Sequence, residues 1–133
     1  MLIAFHHLSL SVTDVDRSAA WYGALFGFAV TADFEGDGFR RVRMRLDEPG
    51  ITLTLTGHHD GSGDRFDERR TGMDHVSFQV GSVADVEAVA RRCAELGAEH
   101  SALKPADRGP NDRAMITLRD PDHIQLEVAC FPD

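Results

Sequence analysis

Polar and apolar residues alternate through positions 5–12, with Leu8, Leu10 and Val12 on one side and His7, Ser9 and Ser11 on the other. A period of two is that of a strand with one buried face. The period then lengthens. Val15, Ala19, Tyr22 and Phe26 fall on one helical stripe, Thr13 with Asp16 resembles a capping box at its start, and Gly27 closes it. Phe28-Ala29-Val30-Thr31 reads as a second strand and Glu35-Gly36-Asp37-Gly38 as a turn. Phe39 to Leu46 is a third strand, with Val42, Met44 and Leu46 opposite Arg41, Arg43 and Arg45. Beyond Pro49-Gly50, a fourth strand sets Ile51, Leu53 and Leu55 against Thr52, Thr54 and Thr56.

The order then repeats. His75-Val76-Ser77-Phe78-Gln79-Val80 echoes His7-Leu8-Ser9-Leu10-Ser11-Val12, with the two histidines in the same register. The strand at 74–80 leads to a helix opened by Ser82 with Asp85, carried by Val83, Val86, Ala90 and Cys93, and stopped at Gly97. Ala98 to Leu103, Ala114 to Leu118 and Ile124 to Ala129 supply three more strands. The loop from Lys104 to Asn111 and the tight turn Asp120-Pro121-Asp122-His123 separate them. The pattern predicts an α+β fold of two tandem βαβββ modules, at about 1–56 and about 73–130, joined by a linker at about 57–72. Each half is small for independent folding, so the modules are expected to share an interior as one domain over residues 1–133.

Charge narrows the function. With 14 Lys and Arg against 22 Asp and Glu, the net charge of -8 opposes a phosphate-tracking nucleic-acid surface. Residues 1–7 carry no basic region and no sustained apolar core, so neither a secretory signal nor a membrane span is expected there, and the reading is cytoplasmic. Cys93 and Cys130 form neither a disulfide framework nor a CxxC site and read as reduced thiols.

The apolar face of each strand set has a partner in its module's helix, which leaves the other face to be explained. It reads His7/Ser9/Ser11, Thr52/Thr54/Thr56, His75/Ser77/Gln79 and Gln125/Glu127. These are small polar groups with few long charged ones, as in the lining of a wet cavity; a plain solvated face is the alternative. On that face His7, His75 and Glu127 occupy three separate strands. Two imidazoles and a carboxylate are a donor set for a divalent metal with positions left for water or substrate.

The segments from His7 to Asp14, Ser18-Ala19-Ala20-Trp21-Tyr22 with Leu25-Phe26-Gly27-Phe28, Asp74 to Phe78 and Asp120 to Glu127 resemble the vicinal oxygen chelate superfamily. That superfamily includes glyoxalase I, extradiol dioxygenases, fosfomycin-resistance enzymes, methylmalonyl-CoA epimerase and bleomycin-resistance proteins. The resemblance covers nearly the whole chain. It implies a glyoxalase-like, cup-shaped mixed sheet around one divalent ion (Fe, Mn, Ni or Zn), often in a homodimer, with His7, His75 and Glu127 as ligands and a small molecule as substrate. Where glyoxalase I has a second glutamate and the epimerase a glutamine, this chain has Thr54. Threonine neither coordinates strongly nor serves as a general base at neutral pH. The resemblance thus implies an enzyme that chelates vicinal substrate oxygens, of lyase, isomerase, transferase or dioxygenase type, with Glu127 catalytic and Ser9, Thr54, Ser77 and Arg43 in the substrate pocket. Its rival is a non-catalytic drug-sequestering protein of the bleomycin-resistance type.

Other residues have simpler readings. His58 and His59 lie in an acidic, glycine-rich surface loop, His6 alternates away from His7, and His123 suits a left-handed turn position. Arg41, Arg43 and Arg45 read first as the outward face of an edge strand, and on a cavity face would offer an anionic substrate a bidentate partner. Residues 66–70 are placed as a lid or a dimer contact.

Overall fold

The computed structural model describes residues 1–105 and 114–131. The elements follow as β1 (Leu8–Ser11), α1 (Val15–Phe26), β2 (Ala29–Gly36), β3 (Phe39–Leu46), β4 (Ile51–His58), β5 (Val76–Gln79), α2 (Val83–Glu95), β6 (Lys104–Pro105), β7 (Ala114–Arg119) and β8 (Gln125–Cys130). They form two four-stranded sheets, ordered β1-β4-β3-β2 and β5-β8-β7-β6. In each, the first strand of the module pairs in parallel with the last, and the remaining pairs are antiparallel. The predicted βαβββ order therefore occurs twice. The chain divides into two compact units, Met1–Asp64 and Arg65–Asp133. No helix among the described residues is long and apolar enough to cross a membrane.

In the first unit α1 packs on β3 and β4. Its buried line is Val15, Ser18, Tyr22 and Leu25, one step round from the stripe read through Ala19 and Phe26. The reason is Ser18, which is fully buried although polar, so a pattern built on apolar residues passes it by. Its hydroxyl has no hydrogen-bond partner among the described residues. Tyr22 is completely enclosed, with Trp21, Phe26 and Phe28 around its ring. Beneath the helix lie Leu10, Val42, Met44, Leu53 and Leu55, all buried. The N-cap is Asp14, not Thr13. The Asp14 carboxylate accepts from the Arg17 amide at 2.9 Å, while Thr13 takes the Arg17 guanidinium instead. Gly27 ends the helix at φ 82°, a left-handed position that glycine adopts without strain.

Two strands differ from their expected extent. β1 begins at Leu8 and not at residue 5, and residues 1–7 are exposed. β2 runs on to Gly36, with an irregularity between Val30 and Ala32, so half of the expected turn, Glu35-Gly36, is strand and only Asp37-Gly38 is turn.

In the second unit α2 packs on β7 and β8. Ser82 caps it as read from sequence, its hydroxyl accepting from the Asp85 amide and donating to the Asp85 carboxylate. Val86, Cys93, Ile116, Leu118, Ile124, Leu126 and Val128 are buried. The strand expected at Ala98 to Leu103 is not regular. Residues 99–101 lie along β7 but Ser101 breaks the ladder, because its hydroxyl oxygen accepts the Thr117 amide while its own amide donates to the Thr117 carbonyl. Regular pairing resumes at Lys104–Pro105, which the sequence reading had assigned to a loop; residues 106–111 of that loop lie outside the described residues. The turn Asp120-Pro121-Asp122-His123 forms as expected. The buried Asp120 carboxylate accepts from the amides of Asp122 and Ile124, and His123 takes φ 68°.

Candidate functional site

Parallel pairing of β5 with β8 places Ser77 beside Glu127, and antiparallel pairing of β7 with β8 places Thr117 on the other side of Glu127. Directly paired residues share a sheet face, so Ser77, Glu127 and Thr117 form one polar row facing away from the buried Leu126 and Val128. His75 sits just before β5. Its Nε2 is 3.3 Å from Glu127 Oε2, with the histidine side chain 37% exposed and the glutamate 19%. The other ring nitrogen, Nδ1, lies 2.6 Å from Asp74 Oδ1. An ionised carboxylate can only accept, so neutral His75 carries its proton on Nδ1 and turns the Nε2 lone pair towards Glu127.

Two electron-rich atoms then face each other. Such a contact is favourable only with a cation between them, either a proton or a metal ion. A divalent ion held by His75 Nε2 and Glu127 Oε2 would supply that positive charge. A carboxylate behind the outer nitrogen of a ligating histidine is the usual means of fixing its tautomer and ring orientation. The donor atoms of His75 and Glu127, with Asp74 behind the imidazole, thus fit a divalent ion.

Behind Asp74 runs a chain of polar contacts. Gln125 Nε2 donates to Asp74 Oδ1 at 3.4 Å, and Arg119 Nη2 donates to Gln125 Oε1 at 2.9 Å. Arg119 also grips Glu68 with two bonds, of 2.8 and 3.0 Å. This bidentate pair holds the Glu68 carboxyl down at about 2. The tight turn after β7 sets Arg119 opposite Gln125, and the Phe66 amide donating to the Asp122 carbonyl ties the segment carrying Glu68 to that turn. Residues 66–68, expected as a lid or dimer contact, are thereby fastened to the unit's own turn.

The first unit repeats the geometry with different chemistry. β1 pairs Ser9 with Thr54 as β5 pairs Ser77 with Glu127, so Thr54 holds the position corresponding to Glu127. Beyond it, β3 pairs Arg43 with Thr54 and Arg41 with Thr56. The arginines are therefore on the polar face. β3 is also an internal strand between β4 and β2, which corrects the reading of an edge strand. Thr54 and Thr56 are buried. Ser9 Oγ is 3.3 Å from Thr56 Oγ1, and Thr54 Oγ1 donates to the Leu8 carbonyl at 3.4 Å.

Of the three expected ligands, the structure brings His75 and Glu127 together. His7 stands in the first unit with its Nδ1 2.7 Å from His6 Nδ1 and the two rings edge to face. The alternation that sent His6 away from His7 fails because regular strand begins only at Leu8. Among the described residues no group of three or more His, Cys, Asp or Glu side chains is gathered as a metal cage. The sequence reading missed Asp74, Arg119 and Glu68 as site residues. Asp74 was legible as the neighbour of His75 and Arg119 as the residue facing Gln125 across a short hairpin, whereas nothing local marks Glu68.

Two tandem βαβββ units, one carrying a histidine–carboxylate pair on its polar face, define a class of protein with a glyoxalase-like fold. The chain belongs to the Glyoxalase/Bleomycin resistance protein/Dioxygenase superfamily, whose sequence profile matches residues 4–128. A glyoxylase/bleomycin resistance protein/dioxygenase domain from Frankia sp. EAN1pec superposes with a TM-score of 0.90 at 31% identity, covering 100% of this chain and 95% of that one. FosX, a fosfomycin resistance protein from Listeria monocytogenes solved with Mn(II) and sulfate, gives 0.73 at 20% identity over 99% and 95% of the two chains. A glyoxalase family protein from Enterococcus faecalis gives 0.76 at 20% identity over 95% and 96%. At 20% identity the likeness is one of fold. A curated relative, the tRNA(Ile)-lysidine synthase of Mesorhizobium japonicum, is 31% identical over 98 residues, 73% of this chain. The chain spans only about a fifth of that protein's length, 21%.

Proposed function

We propose that the protein is a divalent-metal-dependent enzyme of this superfamily, in which His7, His75 and Glu127 hold one ion and a small molecule binds through two neighbouring oxygens. The observation that carries this reading is the 3.3 Å approach of His75 Nε2 to Glu127 Oε2, with Asp74 fixing the far side of the imidazole. A drug-sequestering cleft has no need of that arrangement. FosX, which shares the fold, was solved with Mn(II), and this agrees with an oxygen- and nitrogen-ligated divalent ion here. In this reading the protein is a cytoplasmic homodimer.

When bound, the ion supplies Lewis acidity that stabilises negative charge developing on a substrate oxygen. The protein supplies the rest. Asp74 keeps the proton of His75 on Nδ1, so that Nε2 remains a donor atom. Glu127 has two carboxylate oxygens: Oε2 faces His75, and Oε1 is the atom at which it holds a substrate proton. Ser9 and Ser77 offer hydroxyls to bound oxygens, Thr54 lines the same face with its hydroxyl given to the Leu8 carbonyl, and Arg43 offers a fixed positive charge. The test is metal analysis after reconstitution with Mn, Fe, Ni or Zn. Native protein is expected to retain one equivalent, and His75→Ala and Glu127→Ala to lose it. A native protein that retains no ion, while His75→Ala still binds small-molecule ligands normally, overturns the reading in favour of sequestration.

A further inference from the structure

The polar face of the first sheet carries two arginines, Arg41 and Arg43, of which only Arg43 enters the function proposed above. Read across β1, β4, β3 and β2, its rows are Ser9–Thr54–Arg43–Ala32 and Ser11–Thr56–Arg41–Phe34. Neither row contains a carboxylate, in a chain with eight more acidic than basic residues. The opposite face is the core face, where Val42 and Met44 lie buried on the side packed by α1, so the guanidiniums stand on the side away from the unit's own helix.

Four other arginines are neutralised locally. Arg40 takes Asp16 and Asp33, Arg45 takes Asp47, Arg69 takes Asp67 and Arg119 takes Glu68. Among the described residues no carboxylate pairs with Arg41 or Arg43. Arg41 is nonetheless held in place. Its Nε donates to Thr56 Oγ1 at 2.9 Å, and its guanidinium carbon stands 4.5 Å from the Phe39 ring centroid and 5.9 Å from that of Phe34. Stacking and the Nε bond fix the plane of the fork, while its two Nη groups meet no acceptor among the described residues. Arg43 follows two residues along the same strand, its Cα about 7 Å away. A fork ordered before binding loses little side-chain entropy when an anion arrives, and two forks at this spacing can bracket one multi-oxygen anion.

We propose that Arg41 and Arg43, with the hydroxyls of Ser9 and Thr56 beside them, form an oxyanion site, so that the protein's ligand carries a phosphonate, phosphate or carboxylate group. That the anion belongs to the substrate of the metal site rests on the function proposed above; anion binding itself does not. The repeat frames the site: where the second sheet presents Glu127 between Ser77 and Thr117, the first presents Thr54 between Ser9 and Arg43, so the row lacks the carboxylate at one position and carries a guanidinium at the next.

The experiment titrates metal-free protein with methylphosphonate, inorganic phosphate and acetate, following the arginine Nε–H resonances by NMR. At least one anion is expected to bind and to shift Arg41. Arg43→Met and Arg41→Met should each weaken binding about tenfold or more, and the lysine variants should weaken it less because they keep the charge and lose the fork. Arg91→Met, an equal charge change on the exposed side of α2, should bind as the native protein does. Preference for methylphosphonate and phosphate assigns a tetrahedral group, and preference for acetate a carboxylate. Absence of binding, or equal weakening by Arg91→Met, overturns the proposal. Should Arg41→Met fail to fold, Arg43→Met gives the same decision. Loss of metal by the native protein with anion binding intact would sink the metal reading and leave this one standing.

Discussion

Removing the carboxylate of Asp74 tests whether the second unit's histidine is built as a ligand. In the structure Asp74 touches His75 through one short contact, 2.6 Å from Oδ1 to Nδ1, and receives a longer one from Gln125. Partners of this kind typically change metal affinity by 10- to 100-fold when lost. The Asp74 side chain is 67% exposed, so water can replace part of what it provides and the low end of that range applies. Asp74→Ala is therefore expected to weaken metal binding about tenfold, or about 1.4 kcal/mol. Asp74→Asn keeps an acceptor but no charge and should fall between the two. The assay is competition for Zn(II) against a chromophoric chelator, with the Co(II) absorption spectrum recorded on each variant. The spectrum should change because the imidazole loses its fixed orientation, and the thermal midpoint of the metal-free protein should stay put, since Asp74 lies on the surface. If Asp74→Ala matched the native protein in affinity and spectrum while His75→Ala lost the ion, the outer carboxylate would have no part in holding the ligand.

Two further expectations concern stability. Arg119 holds the Glu68 carboxyl at about 2, below its ordinary value of 4.5, so the pair stabilises the fold above about pH 4.5 and loses that effect as the pH falls towards 2. Thermal melts of Glu68→Gln and native protein should therefore differ at neutral pH and converge in acid; a gap that widened on acidification would contradict the assignment. Ser18 buries a hydroxyl with no partner among the described residues on the core side of α1, so Ser18→Ala should stabilise the fold by about 1 kcal/mol, seen as a higher urea midpoint with an unchanged slope. A destabilised variant would mean that the hydroxyl is paired after all.

Much of the fold was legible because short-range rules suffice for it. The period-two runs at 5–12, 39–46 and 51–56 became the strands Leu8–Ser11, Phe39–Leu46 and Ile51–His58, the 3.6-residue stripes became α1 and α2, and Gly27 and Ser82 capped them. The misreadings had equally local causes. A buried serine concealed the true line of α1, and a serine hydroxyl standing in for a backbone acceptor broke the strand expected at Ala98 to Leu103.

The sequence by itself determined that the chain is a doubled βαβββ protein, that one face of each sheet is polar, and that His75 and Glu127 share such a face. Periodicity and repetition are properties of neighbours along the chain, and they transmit that much. Only the tertiary structure decided that Arg41 and Arg43 lie beside Thr56 and Thr54 on an internal strand, that Glu68 reaches Arg119, and that His75 is clasped between Asp74 and Glu127. Those relations depend on strand order, register and side-chain reach between residues up to about fifty positions apart, as for Glu68 with Arg119 and His75 with Glu127. Alternation says which side of its own strand a residue takes, but not which strand becomes its neighbour.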